Sequence, residues 1–333
     1  MLSVRHVVTF AAVLAVAALA PATQASEGVS FKLGTLDSQT DYGILDQVEE
    51  ETVTVTTSEP MGESGFWYGL PGYEDFVMPV GMPFYFEDPF ITSDLRLIYL
   101  CHSISNNSPV GGGEVMVAAV QFRMALTDRL AVLITKDGYS WLNSDVFEDG
   151  DSDGWNDSAV GLKYAIYSDP DEQFLFTGGM RAEFQHGSRD ALQGGGSSEI
   201  SPFLSFAKGW DKLHFLGTLS GRFPTNRNKG NQSIVWNMHL DYALTETFYP
   251  LVEVHGIHWI SNGDRVPVDT DYLDIGSFGS TDVSGRDAFS AGLGFRWEIT
   301  ENISLGTTFE IPLESKDQHM LKHRLTINTV ISF

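Results

Sequence analysis

The sequence predicts an all-β protein, a single-chain 12-stranded up-and-down antiparallel transmembrane β-barrel with an irregular N-terminal extension. Three observations carry this. Apolar and small or polar residues alternate with a period of two through twelve segments between residue 94 and the C-terminus. The connections between them are short and long in turn. No segment beyond the N-terminus is apolar enough for a helical span; the greasiest, Val115 to Leu126, is broken by Gln121 and Arg123.

The segments run roughly 94–104, 113–126, 129–137, 158–168, 173–185, 199–208, 212–223, 232–243, 247–259, 287–299, 302–313 and 319–333. The phase is clearest in the last. Leu321, His323, Leu325, Ile327, Thr329, Ile331 and Phe333 share one face, and Lys322, Arg324, Thr326, Asn328, Val330 and Ser332 the other. Phe289 to Trp297 and Ile303 to Ile311 divide in the same way, bulky residues against Gly, Ser, Thr and charges. The third and sixth segments are apolar on both faces, so their registers are the least fixed. Leu126-Thr127-Asp128-Arg129, Leu244-Thr245-Glu246-Thr247 and Ile299-Thr300-Glu301-Asn302 are near-identical short turns. Between such turns lie long Gly/Asp/Asn/Ser-rich stretches at 138–157, 186–198, 224–231 and 260–286. Tight turns at one end and long loops at the other describe a meander, whereas a soluble sandwich would need Greek-key returns.

Composition narrows the class further. With 44 acids against 20 bases and a net charge of −24 in 333 residues, phosphate contacts are not affordable and nucleic acid is excluded as a partner. Twenty-two Phe, 11 Tyr and 7 Trp exclude a disordered chain. A single Cys101, expected to pack on a strand or face lipid, excludes disulfides and multi-cysteine metal sites. Residues 1–25 read as a signal peptide: Arg5 and His6, an apolar run from Val7 to Ala20, then small residues, with cleavage after Ala25 or Ala22. That run is shorter than the roughly 20 residues of a membrane span. Residues 26–93 form an N-terminal periplasmic extension or plug, and 94–333 the transmembrane barrel.

A twelve-strand barrel must fill or wet its interior, so the bulky face belongs against lipid and the small polar face inside. Tyr139, Trp141, Trp155, Trp210, Phe248, Tyr249 and Trp259 near segment ends are expected to form interfacial belts. This phasing turns eight bases inward, Arg96, Arg123, Lys163, Arg181, Arg222, Arg296, Lys322 and Arg324, against five acids, Glu183, Asp241, Glu253, Glu298 and Glu310. They are expected to line the lumen, pairing across strands or attracting anionic groups of a solute.

The ending Thr329-Val330-Ile331-Ser332-Phe333, with apolar residues at alternate positions before it, resembles the C-terminal strand of bacterial outer-membrane barrels. The resemblance implies a place in the outer membrane, contact with its lipids, and recognition of this strand by the outer-membrane assembly machinery. Beyond class, the chain is similar to transporter-like barrels associated with uptake of aromatic or hydrocarbon compounds, without a match to their functional residues.

The extension holds 13 acids and a single base, Lys32, with aromatics crowded at Phe66-Trp67-Tyr68 and Phe84-Tyr85-Phe86. As a plug, its acids would pair with interior bases, and deleting 27–90 would raise conductance. Two constellations could carry chemistry. Asp149, Asp151, Asp153 and Asp157, with Gly154 at the sixth place, match the first half of a calcium loop, but Val160 stands where a bidentate Glu belongs. A solvated acidic loop is the competing reading. His258-Trp259-Ile260-Ser261-Asn262-Gly263 resembles the His-x-Ser-Asn-Gly motif of outer-membrane phospholipases with one extra residue, which on a regular strand turns His258 and Ser261 to opposite faces. The expected function is passive passage of a small solute; the alternatives are a lipid hydrolase using His258 and Ser261, or a non-conducting structural barrel.

Overall fold

The computed structural model describes residues 65–108, 111–144, 151–194, 196–314 and 320–333. Residues 1–25, expected to be a signal peptide, and most of the expected extension therefore lie outside the described residues. The described strands are β1 (Asp94–Ile104), β2 (Gly113–Ala125), β3 (Leu130–Thr135), β4 (Tyr139–Ser144), β5 (Asp151–Trp155), β6 (Ser158–Asp169), β7 (Phe174–Phe184), β8 (Glu199–Trp210), β9 (Leu213–Pro224), β10 (Ser233–Tyr242), β11 (Phe248–Trp259), β12 (Asp287–Thr300), β13 (Ile303–Pro312) and β14 (His323–Ser332). Each pairs antiparallel with its neighbours, and β1 bonds β14 on one side and β2 on the other, so the sheet has no open edge. Both β3 and β4 pair with β2, while β5 continues into β6 opposite them. These four strands make two staves, and the barrel has twelve.

Ten staves fall where the periodicity places them, and the other two run beyond their expected ends. The extra length comes from the stretch 138–157, expected to be a loop, which instead holds β4 and β5. The cause is a bulge. Between the pairs Phe122–Ile134 and Ala118–Tyr139, three residues of β2 face four of the other strand, with Lys136 at φ 49° and Gly138 at φ 114°. The extra residue moves the inward set from Ala131, Leu133 and Thr135 to Ser140, Leu142 and Ser144, which breaks the alternation that a sequence reading follows.

The outer surface carries a girdle of large apolar side chains, among them Leu162, Tyr164, Met180, Leu204, Leu219, Met238, Phe309 and Leu293, the last 72% exposed. Water would not tolerate such a band, and hydrocarbon requires it. Short turns and the β14 end of the chain mark one rim, here the periplasmic one; the long connections mark the outer rim.

The interior is filled from both ends. From the periplasmic rim, residues 65–93 enter as a re-entrant loop pinned at its base, where Leu70 N–H donates to the Ile91 carbonyl at 3.0 Å. Gly69 is required there: it sits at φ +82°, and a Cβ would lie 1.8 Å from the Ile91 oxygen. Tyr73, Phe76, Phe90 and Ile91 pack on Ala125, Ala131, Ala165, Leu175, Ala207 and Leu216 of the wall. The tip turns at Met82, whose carbonyl accepts the N–H groups of Tyr85 and Phe86. From the outer rim the 260–286 connection descends, so that Tyr272, Leu273, Ile275 and Phe278 join Met82, Phe84, Tyr85 and Phe86 in one buried cluster. The wall they meet is apolar on β1, β2 and β4 (Ile98, Leu100, Val115, Val117, Leu142), a departure from the uniformly polar inner face expected.

Candidate functional site: the charged lumen

Alternation on β1, β2 and β6 places Arg96, Arg123 and Lys163 on the inner face, each almost fully buried. They converge on two consecutive carboxylates of the re-entrant loop. Arg123 grips Glu87 with two parallel bonds, Nε to Oε1 at 3.0 Å and a terminal nitrogen to Oε2 at 2.8 Å. Lys163 Nζ donates to Glu87 Oε1 at 2.9 Å, to Asp88 Oδ1 at 3.2 Å and to the Asp88 carbonyl at 3.0 Å. Arg96 meets Asp88 Oδ2 at 2.7 Å and is held from behind by Asp94 at 2.6 Å. Ser205 and Thr218 hydroxyls donate to the Glu87 carbonyl at 2.6 and 2.7 Å. Burial opposes ionisation of both loop carboxyls, but Arg123 and Lys163 around Glu87, and Arg96, Lys163 and Arg123 around Asp88, hold both below the usual carboxylate range.

Across the lumen a polar rail runs along β9, β10 and β11. His214 Nδ1 lies 2.8 Å from Asp241, whose other oxygen is 3.0 Å from His239 Nε2; His239 Nδ1 is 2.8 Å from Glu253. Glu253 in turn accepts the N–H groups of Val80 and Gly81 at 2.8 and 2.6 Å. A Cβ at Gly81 would fall 2.6 Å from Glu253 Oε2 and 2.7 Å from His255 Nε2. Gly81→Val should therefore lift the ascending limb off this rail at about 1–3 kcal/mol of overpacking. Hydrogen exchange at Val80 and Gly81 should quicken while strand amides keep their protection; unchanged exchange at both would refute the close fit.

Higher up, the Tyr85 ring lies under Arg222 and Arg181, with centroid distances of 4.6 and 5.2 Å, while its hydroxyl donates to Glu199 at 2.6 Å. Arg222 also binds Glu199 at 3.1 Å and the carbonyls of Leu273 and Gly276 from the outer connection at 2.6 and 3.2 Å. Arg181 donates to the Phe84 carbonyl at 2.6 Å, and Arg296 to those of Met78 and Pro79 at 2.9 and 3.2 Å. Arg324 joins Asp274 at 2.7 Å and lies 3.9 Å from Glu310.

The structure thus brings Arg96, Arg123, Lys163, Arg181, Glu183, Arg222, Asp241, Glu253, Arg296, Glu310 and Arg324 into the buried interior. Two of the expected lining residues are elsewhere. Lys322 is exposed just before β14, its N–H bonded to the Ser103 carbonyl, because the strand begins only at His323. Glu298 is half-buried beside a bulge at the periplasmic end of β12. Tyr249 and Trp259, assigned to the belts, point inward, since they share the phase of Glu253 and His255. Sequence reasoning missed Asp94, Lys136 and Glu199. Lys136 was hidden by the bulge that turns it inward onto Glu183; Asp94 and Glu199 begin their strands and could have been found by extending the phase by one step.

The three calcium candidates among the described residues do not come together. Asp149 lies outside the described residues. Asp151 and Asp153 are exposed on β5, bonded to Asn143 and Tyr139, whereas Asp157 is buried and accepts the N–H groups of Gly187 and Gly194. Among the described residues no three His, Cys, Asp or Glu side chains are grouped to hold a metal ion. The hydrolase pair is likewise apart: His258 faces outward and bonds Asp287 at 2.7 Å, while the Ser261 hydroxyl accepts the Gln232 N–H at 3.2 Å.

No protein-family model matches the sequence, and no curated protein matches it. Among solved structures, an outer-membrane channel from Pseudomonas putida F1 superposes with a TM-score of 0.55 at 14% identity, covering 78% of this chain and 100% of that one. The NanC porin gives 0.45 at 11% identity over 72% and 100% of the two chains, and the KdgM porin in complex with disordered oligogalacturonate 0.42 at 10% over 73% and 99%. At these identities the likeness is one of fold. The closed twelve-stave wall, the apolar girdle and the likeness of fold to the Pseudomonas putida structure together make the chain a bacterial outer-membrane β-barrel.

Proposed function

We propose that the chain is an outer-membrane channel for a small solute, closed by the re-entrant loop and opened when that loop leaves the lumen. One observation carries this reading: between residues 71 and 92 no backbone-to-backbone hydrogen bond goes to a strand. The barrel ladder is complete without the loop, which is held by apolar packing and by polar side-chain contacts, the latter replaceable by water once the lumen is wet. A structural core would be expected to share the ladder. The polar wall behind the loop (Arg96, Arg123, Lys163, Arg181, Asn237, His239, Glu253) is a lining that a solvated pathway needs and an apolar core does not. Single-channel recording of the mature chain in planar bilayers tests the reading. Brief discrete openings support it. Permanent silence, with and without the loop, would make the chain a non-conducting structural barrel.

A further inference from the structure

The three cations around Glu87 and Asp88 differ from the other ion-paired bases of the lining in where their carboxylates sit. Arg222, Arg324 and Lys136 find a carboxylate on the wall or on the outer connection, as in Arg222–Glu199, Arg324–Asp274 and Lys136–Glu183. Arg96, Arg123 and Lys163 share only Asp94, which touches Arg96 at 2.6 Å and stands 3.9 Å from Arg123. Their other charge partners belong to the loop. When the loop leaves, three buried cations face one carboxylate, and the wall there is short of two negative charges. The hydroxyls of Ser205 and Thr218, which now donate to the Glu87 carbonyl and lie 3.3 Å from each other, lose that acceptor in the same place.

We infer that this nest is a binding site for a small solute carrying two anionic groups, such as a dicarboxylate, and that Glu87 and Asp88 occupy it as a tethered stand-in. The inference rests on the channel reading and names the solute class that channel would take. Arg123 presents the planar fork that suits a carboxylate, and Lys163 bridges both acids as a point charge. A monoanion would leave one cation unpaired in a buried site, and a neutral isostere would leave two. Competition for the nest also supplies a reason for the loop to move: a dianion that binds only the emptied wall shifts the population toward it.

Succinate, acetate and neutral succinamide at matched ionic strength are the probes, and the mature full chain in detergent is the sample. In the Glu87→Gln/Asp88→Asn variant, succinate should restore most of the lost thermal midpoint, acetate should need at least a tenfold higher concentration, and succinamide should do nothing. Equal responses to all three, or none, would overturn the inference. Should that variant fail to form a barrel, the unsubstituted chain gives the second reading: succinate, and not succinamide, should speed amide exchange across residues 72–90, and identical exchange with both would be fatal. These readouts report binding alone. Succinate binding in a chain that never conducts would refute the channel and not the site; a loop-deleted chain that conducts but ignores succinate would refute the site and not the channel.

Discussion

Replacing residues 72–89 with two glycines should turn a mostly silent barrel into one that carries steady ohmic current, a rise of at least severalfold in mean conductance. The excision is geometrically mild. Leu70 and Ile91 are already joined by a 3.0 Å hydrogen bond, so the new link only has to reverse the chain between two points in contact. The β1–β2 and β1–β14 ladders that close the barrel do not include the excised residues. What is lost is the cluster of Tyr73 and Phe76 on the small wall residues, and the tip Met82 to Phe86. The shortened chain should therefore fold with a lower thermal midpoint and keep the migration of a closed barrel on unheated gels. The outer connection retains its own anchors, Arg222 to the Leu273 and Gly276 carbonyls and Arg324 to Asp274, so the opened lumen stays narrowed at its outer end and the current should remain below that of an unobstructed barrel of this strand number. Bilayer currents from the intact and shortened chains decide the matter, and equal currents would end the idea that the loop is the closure.

Most of the barrel was legible in the sequence because a membrane wall imposes one rule on every stave. Where lipid is on one side and a filled lumen on the other, the period of two survives from end to end, as in Leu325 and Ile327 against Arg324 and Thr326. The rule fails where geometry interrupts it. One extra residue at Lys136 to Gly138 reverses the phase, and the Asp- and Ser-rich β5 reads as loop since its composition suits both. It fails also where the lumen is packed and not wet: Ile98, Leu100, Val115 and Val117 face inward against an apolar tip that no local pattern announces. The re-entrant loop itself is touched on all sides, so its sequence has no amphipathic period, and only the acid excess of the extension it ends, 13 acids against Lys32, distinguished it. The inward charges were readable one by one from phase, but not their partners, because Glu87, Asp88 and Asp274 come from segments without periodicity. Pairing is a property of the tertiary structure.

Arg324→Met should release the outer connection from the lumen. Arg324 is fully buried on β14, and its guanidinium ties together four parts of the interior. It donates to Asp274 of the 260–286 connection at 2.7 Å, to Met82 Sδ at the loop tip at 3.3 Å, and to His102 Nδ1 on β1 at 3.0 and 3.1 Å, and it lies 3.9 Å from Glu310 of β13. A guanidinium only donates, so His102 Nδ1 accepts, and its Nε2–H goes to the Met320 carbonyl at 2.9 Å. Methionine fills a similar volume without the charge, leaving Asp274 buried and unpaired at a cost of about 3–5 kcal/mol. The barrel ladder does not need Asp274, so the chain should relieve that cost by letting the connection swing out instead of unfolding. An opening equilibrium shifted by about 3–5 kcal/mol is on the order of a hundredfold or more. It should appear as faster amide exchange across 270–278 and as faster tryptic cleavage at the exposed Arg265 and the half-buried Arg286. The cost comes from a stranded charge and not from lost attraction, so adding Asp274→Leu to Arg324→Met should return protection toward the wild-type level. A double variant as open as the single one would show that the connection is held by its apolar contacts, and that the ion pair is a passenger.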